Sequence, residues 1–328
     1  MLNRYWKQEQ AKVLFIKEQT RTVSLRDSLE RYMAIGTQRD IAQEPLRSAI
    51  LRLEREGNYL LQTRHHGWVS RRATDLNDAG NWPAYAMEVH LHYALENNGH
   101  TTSASVGIIP GENSDVDIVC AMQNGIKICA ECVFCLEPQS FWQSKTEVAS
   151  GLTISAAFYD GDGEVGILRR VQEKIRIKTI RNSGIPTKFP PIDTSIVNVI
   201  IVDATQGAGD LLDLWDEQLL SCGKQVVNSV AQRDLLGLFE PTNPYTPSFD
   251  EEYIRNRFLR ERIHALLFLH DSSIWRGPLN PTYEGRVVYN PLLLHSLSDA
   301  QITAIADFGN GLSGLVQHWL VDQQWTTT

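Results

Sequence analysis

The 328-residue sequence has few cysteines and no long apolar run. Its five cysteines are an odd number, which favours reduced thiols over a disulfide framework. No segment approaches the roughly 18 uncharged apolar residues of a membrane-spanning helix, and no apolar core follows the basic residues of MLNRYWKQEQ, as a signal peptide would require. These features predict a soluble, cytoplasmic protein.

Basic residues are in deficit overall but are concentrated near the start of the chain. The sequence has 31 Lys+Arg against 39 Asp+Glu, a net charge of −8. Residues 1–74 hold 14 basic and 8 acidic side chains (14 − 8 = +6), so the remainder holds 17 and 31 (17 − 31 = −14). This distribution indicates that any binding of polyanions is local to the basic segment.

The basic segment has the pattern of two helices followed by a hairpin. Thr37 can cap a short helix, Pro45 can start a second, and Gly57 stands where the second should end. YLLQTR and WVSRR, on either side of residues 65–67, then predict a basic hairpin. This order resembles a winged helix-turn-helix.

That resemblance implies DNA as a partner. In the family the second helix enters the major groove and the wing contacts the phosphate backbone. The resemblance assigns three side chains to the groove and three to phosphates: Arg47, Ser48 and Arg52, then Arg64, Arg71 and Arg72. The alternative is a protein-interaction module whose surface arginines are simply solvated.

Acidic residues on a second hairpin are the candidates for a catalytic site. A helix is predicted over 82–100, followed by strands over 101–109, 115–122 and 126–134. A three-residue loop ending at a left-handed Gly125 gives the last two strands one apolar face and places Asp117 opposite Glu131 on the other face. A two-residue Asn-Gly loop would instead scatter the acids over both faces. Two facing carboxylates need a cation or a proton between them, and Mg²⁺ prefers such oxygen ligands.

The hairpin resembles the PD-(D/E)XK nuclease superfamily, whose core runs helix, three strands, helix, strand. The resemblance matches Glu88 to the acid of the first helix, Asp117 to the aspartate and Glu131 to the glutamate of E-x-K. It implies a restriction-endonuclease-like α/β fold, a mixed sheet flanked by helices, completed by a helix over 167–181 and a strand over 196–204. It also implies Mg²⁺ or Mn²⁺ at Asp117 and Glu131, hydrolysis of nucleic acid, and a setting in restriction or defence.

Val133 stands where the family has its lysine, which positions and polarises the attacking water. Lys127 lies on the same face of the strand, but it is four residues before Glu131, about 13 Å along the strand. Lys174, on the following helix, is the predicted substitute, and a lysine amine within about 5 Å of Glu131 would support an active site. The alternative is a catalytically inactive nuclease fold that serves as a DNA-binding or scaffold subunit of a larger complex.

These assignments divide the chain into three parts. A winged helix-turn-helix domain is predicted over 1–75, a nuclease-like core over 76–235, and a C-terminal elaboration over 236–328 that packs on the core and ends in a helix near 301–320. The sequence leaves open a homodimer or partner subunits.

Other motifs give weaker signals. CAECVFC has a cysteine spacing used by zinc and iron-sulfur sites, but on a strand Cys132 faces away from Cys129 and Cys135, which favours buried thiols. VIIVDATQGAGD weakly resembles the cofactor loop of methyltransferases, although Asp203 also suits a strand end. The P-loop pattern G-x-x-x-x-G-K-[ST] is missing, which argues against an NTPase.

Overall fold

A computed structural model of the protein describes residues 52–53, 55–75, 82–107, 115–134, 163–179, 188–203, 214–223, 235–240, 250–270, 284–312 and 315–319. The helices are α1 His66–Asp75, α2 Trp82–Asn97, α3 Gly163–Thr179, α4 Leu214–Cys222, α5 Asp250–Arg255, α6 Arg257–Arg262 and α7 Asp299–Leu312. The strands are β1 Thr101–Gly107, β2 Asp115–Ala121, β3 Lys127–Phe134, β4 Ile196–Asp203, β5 Ala265–His270, β6 Glu284–Tyr289 and β7 Leu315–Trp319. None of the helices in these segments is long and apolar enough to cross a membrane.

The strands form one mixed sheet whose order follows the chain from β1 to β7. β3–β4, β4–β5 and β6–β7 are parallel pairs, and the other neighbours are antiparallel. Parallel neighbours need a crossover, which is almost always right-handed. β6 and β7 run opposite to β3 and β4, but in both pairs the later strand lies on the same side of the earlier one. Right-handed crossovers therefore place α3, between β3 and β4, and α7, between β6 and β7, on opposite faces of the sheet.

Each face of the sheet therefore has its own hydrophobic core. α2 and α7 cover one face, and α3, α4 and α6 cover the other. In β4, Val199 and Ile201 point into the first core, and Ile200 and Val202 point into the second. A strand covered on both faces has a nearly continuous apolar sequence, which explains the composition of IVNVIIVD. The protein is thus a mixed α/β sheet flanked by helices.

The element order predicted around the acids is confirmed: helix α2, strands β1 to β3, helix α3 and strand β4. The loop between β2 and β3 has the predicted form, since the backbone N–H of Met122 donates to the carbonyl of Ile126 at 2.9 Å and Gly125 has a φ of +83°. The predicted register is also found, for example between Ile118 and Ala130. Register and loop together decide on which face each hairpin side chain lies.

Val116 is an exception to the predicted apolar face of this hairpin. It joins the core under α3, whereas Ile118 and Cys120 lie in the core under α2, as predicted. The pairing of β1 with β2 skips the position of Ser105 and Asp117, and Ser105 has a φ of +49°. Strict alternation fails beside Val116 because the backbone is irregular at this point.

The predicted basic hairpin is wrong. Residues 55–61 are helical, and His66–Asp75 forms helix α1 instead of a strand. Gly57 lies inside the first of these helical stretches and does not end it. Trp68, which looked like a strand residue, is buried in the core that α2 covers, so tertiary packing overrides its preference for strands. Residues 1–51 lie outside the described residues, and the winged helix as a whole stays a prediction.

The C-terminal part of the chain continues the sheet. β5, β6 and β7 all come from residues 236–328 and pair in line with β4. The helix predicted near 301–320 ends at Leu312, and Leu315–Trp319 forms strand β7. This part therefore supplies strands to the sheet as well as the covering helix α7.

Candidate active site

Asp117 lies where β2 and β3 part. The pairing of the two strands ends at Ile118 and Ala130, one position before Asp117 and Glu131. At that point the backbone N–H of Cys132 donates to Oδ2 of Asp117 at 2.9 Å. The two acids were predicted to lie directly across the ladder, but the carboxylate of Asp117 replaces a ladder hydrogen bond. The parting of the strands lets side chains from other elements reach both acids.

Two lysines reach into this gap. Nζ of Lys178, in the last turn of α3, lies 3.2 Å from Oδ2 of Asp117 and 3.7 Å from Oε2 of Glu131. Nζ of Lys188, shortly before β4, lies 3.2 Å from the same oxygen of Glu131. Both amines therefore lie within about 5 Å of Glu131, the distance stated above as support for an active site. The acids share a lysine, so they lie on the same side of the sheet.

Lys174 is not one of these lysines. Its Nζ donates to the carbonyl of Phe134 at 3.2 Å, at the end of β3. A crossover helix runs antiparallel to the strands that it joins, so one further turn along α3 leads from Phe134 back toward Glu131. Lys178, four residues after Lys174, therefore reaches the acids. The predicted lysine, Lys174, lies one helical turn before the lysine that contacts the site.

Glu88, the third acid of the predicted site, lies on α2, the helix that covers the face of the sheet opposite to α3. The side chain of Glu88 is buried. Burial lowers the pKa of Lys178, but the carboxylates of Asp117, Glu131 and Glu88 more than offset that effect and hold the pKa above its usual value. Lys178 is therefore an ammonium at neutral pH, and it contacts Asp117 and Glu131 directly.

Glu131 is a fully buried acid that both lysines contact. Its side chain is 0 % exposed. Burial, and then the charge of Asp117, raise the pKa of Glu131 well above its usual value, whereas Lys178 and Lys188 act in the opposite direction. Oε2 contacts both lysines, but Oε1 is buried and has no hydrogen-bond partner within the described segments. An unsatisfied buried carboxylate oxygen is costly, and a bound cation or proton would remove that cost.

The oxygen atoms of Asp117 and Glu131 suit a hard divalent cation. Mg²⁺ usually takes one or two carboxylates and completes its shell with water and substrate phosphate. Among the residues that the structure describes, no three His, Cys, Asp or Glu side chains are grouped as a ready-made metal cage. Cys129 and Cys132 lie in cores on opposite faces of the sheet, which does not fit a zinc site. The two carboxylates that Lys178 contacts are therefore the oxygen ligands that a divalent ion could use at this site.

Val133, which stands where the PD-(D/E)XK pattern has its lysine, is a core residue. It is 1 % exposed and lies in the same core as Val171 and Ile175 of α3. A lysine at this position would put its ammonium into that core. Lys178 could have been found from the antiparallel packing of α3 on β3, but Lys188 lies in a segment without a motif, and no sequence signal pointed to it.

The side chains assigned to DNA have different surroundings. Arg52 is 1 % exposed, and its Nε lies 3.9 Å from the buried Glu56, so its assignment to the major groove is wrong. Arg64 is exposed and pairs with Glu96 at 3.2 Å. Arg71 is exposed on α1. Outside the described residues lie Arg47, Ser48 and the side chain of Arg72.

No family model matches this sequence, and neither a curated protein nor a solved structure matches it. The features that bear on function are therefore the geometry of the acids and lysines and the order of the elements that carry them.

Proposed function

We propose that the protein is a metal-dependent nuclease with a restriction-endonuclease-like core, and that its substrate is nucleic acid, most simply DNA. The observation that carries this proposal is the convergence of Asp117, Glu131 and two lysine ammonium groups where β2 and β3 part. The order α2, β1, β2, β3, α3, β4 is that of the PD-(D/E)XK core, which supports the same fold.

Asp117 and Glu131 would hold Mg²⁺ or Mn²⁺, which when bound supplies positive charge to stabilise the developing charge on a phosphodiester. Lys188 is placed to donate a hydrogen bond to a water beside Glu131, the task that the lysine of E-x-K performs. Lys178 is an ammonium beside both carboxylates, so it supplies a hydrogen-bond donor and a positive charge. Val133 contributes packing alone.

Support for nucleic acid as the substrate comes from the nuclease resemblance and from the +6 balance of residues 1–74 (14 − 8). The proposed setting in restriction or defence rests on analogy with the superfamily. Partner subunits or a homodimer are compatible with this proposal.

The second candidate is an inactive nuclease fold that binds DNA or scaffolds a complex. One observation favours it: Lys178 and Lys188 already pair with both carboxylates, so the acids have cationic partners without a metal. Buried ion pairs of this kind can serve structure alone. Metal-dependent cleavage separates the two functions.

The test is cleavage of single-stranded, duplex and branched DNA in Mg²⁺ or Mn²⁺, with EDTA as the blank. Wild type should give metal-dependent products, and Asp117→Asn should lose them. Asp115→Asn is the matched control, because Asp115 lies on the same strand but is exposed and outside the site. Equal background from wild type and Asp117→Asn, in an assay that resolves about 10²- to 10⁴-fold, would favour the scaffold function instead.

A further inference from the structure

Lys178 occupies the position between the two carboxylates. A single Nζ atom lies 3.2 Å from Asp117 and 3.7 Å from Glu131. Of the two acids, Lys188 contacts Glu131, at 3.2 Å. The two lysines therefore differ in kind: Lys178 bridges the acids, and Lys188 binds one of them from the side.

A divalent ion bound to both carboxylates would need the same space. Mg²⁺ lies about 2.0–2.1 Å from each of its oxygen ligands, so an ion that joins Asp117 to Glu131 must lie between them. An ammonium and a metal ion cannot share that gap, because both are cations and each excludes the other sterically and electrostatically. Oε1 of Glu131, buried and without a hydrogen-bond partner in the described part of the chain, is a ligand atom that Lys178 leaves available.

Lys178 is also able to leave. Its side chain is 35 % exposed, and its flexible stem of four carbons starts from the last turn of α3. Lys188 can keep its contact with Oε2 of Glu131 while an ion binds at Oε1. The site thus has one cation that can be exchanged and one that can remain.

We propose that Lys178 is a built-in competitor of the metal ion: it bridges Asp117 and Glu131 in the metal-free protein, and a divalent ion displaces it. The displaced ammonium stays tethered beside the site, where it is free to contact a phosphate of the substrate. This inference rests on the proposed function only in requiring that a divalent ion binds to these two carboxylates.

The experiment is a calorimetric titration of the full-length protein with Mn²⁺, comparing wild type, Lys178→Met and Lys188→Met. The two variants remove the same charge from the same carboxylate, but only Lys178→Met empties the bridging position. We expect Lys178→Met to bind Mn²⁺ about tenfold more tightly than wild type, and Lys188→Met to change affinity by less than about threefold. Lys178→Gln, which keeps a polar group, guards against misfolding and should also bind more tightly.

The outcomes divide cleanly. Unchanged or weaker Mn²⁺ binding by both Lys178 variants would overturn the proposal that Lys178 competes with the metal ion. An equal gain in Mn²⁺ affinity in Lys188→Met would also overturn it, because the gain would then come from the loss of any nearby positive charge. Binding by Lys178→Met where wild type shows none would support it strongly. If no variant binds Mn²⁺ at millimolar concentration, the metal site fails, and the proposed function and this inference fall together.

Discussion

Nζ of Lys188 lies 3.2 Å from Oε2 of Glu131, although 57 positions separate the two residues in the chain. The contact brings an ammonium to the glutamate, and in the proposed function this ammonium takes the part of the lysine missing at position 133. Lys188 lies in the segment that leads into β4, and Glu131 pairs with Ile200 of that strand. The chemistry proposed for the site depends on the contact between Lys188 and Glu131 more than on any local motif.

Replacing Lys188 by Met should slow DNA cleavage by about 10²- to 10⁴-fold without weakening metal binding, because it removes a hydrogen-bond donor to water and leaves both carboxylates. Lys174→Met is the control: its ammonium contacts the carbonyl of Phe134 and neither acid, so the rate should stay within about threefold. Single-turnover rates at saturating metal give the comparison. Loss of activity in Lys174→Met but not in Lys188→Met would restore the original assignment of Lys174.

Replacing Val133 by Lys, which would rebuild the motif, should destabilise the protein instead of improving cleavage. The side chain is 1 % exposed, and an ammonium there would be buried in an apolar core. We expect the free energy of unfolding to fall by at least about 2 kcal/mol in urea denaturation. Ala121→Lys, at an exposed position of the same hairpin, should cost less than about 0.5 kcal/mol. A stable and faster Val133→Lys enzyme would mean that Lys178 and Lys188 do not serve the site.

Reversing the charge of Arg52 should unfold the protein, not probe DNA binding. The substitution Arg52→Glu places a buried carboxylate beside Glu56, and breaking a buried pair in this way costs about 3–5 kcal/mol. Arg71→Glu, on the exposed side of α1, should leave stability within about 0.5 kcal/mol. Thermal melts of the two variants decide between these expectations. An Arg52→Glu protein as stable as wild type would show that Arg52 is accessible after all.

Stability should fall as the pH is lowered from 7 to 5, because buried histidines stay neutral in the folded protein. Burial lowers the pKa of His92 to about 3 and that of His264 to about 4, whereas both start from 6.5. The unfolded chain therefore takes up protons first, and the stabilisation is present above pH 6.5 and lost as the pH falls toward the folded pKa values. Each histidine should contribute roughly 2 kcal/mol between pH 7 and 5.

Comparing wild type with His92→Gln at both pH values isolates one histidine. The raised pKa of Glu131 acts in the opposite direction, since it favours the folded state at low pH, but it cancels in this difference. Urea denaturation should show a pH dependence that is smaller in His92→Gln by roughly 2 kcal/mol. An identical pH dependence would mean that His92 is protonated or exposed in the folded protein.

The hairpin of β2 and β3 could be predicted because its information is local. Alternation of apolar and polar residues sets the faces, and Gly125 sets the loop and therefore the register. The same rules placed Asp117 and Glu131 close together. They could not show that the pairing of β2 with β3 ends at Ile118, where the carboxylate of Asp117 accepts from the backbone N–H of Cys132.

Local sequence rules did not predict the two lysines that contact the acids, and they wrongly predicted a basic hairpin near the N-terminus. The position of Lys178 depends on how α3 packs on β3, and that of Lys188 on where the chain enters β4, neither of which a short pattern encodes. Near the N-terminus, WVSRR has the aromatic and branched residues of a strand, yet Trp68 packs as part of a helix in the core that α2 covers. Burial of one large side chain there outweighs a weak local preference.

Anomalous scattering from crystals grown with Mn²⁺ is the most direct measurement of the metal site on which the proposed nuclease depends. We predict a manganese peak within about 2.5 Å of one oxygen of Asp117 and one of Glu131, with Nζ of Lys178 displaced from the gap. The contradicting result is a map at millimolar Mn²⁺ with no peak near Glu131 and with Lys178 still bridging both carboxylates. In that case the acids and lysines form a structural ion-pair network, and the fold serves binding instead of catalysis.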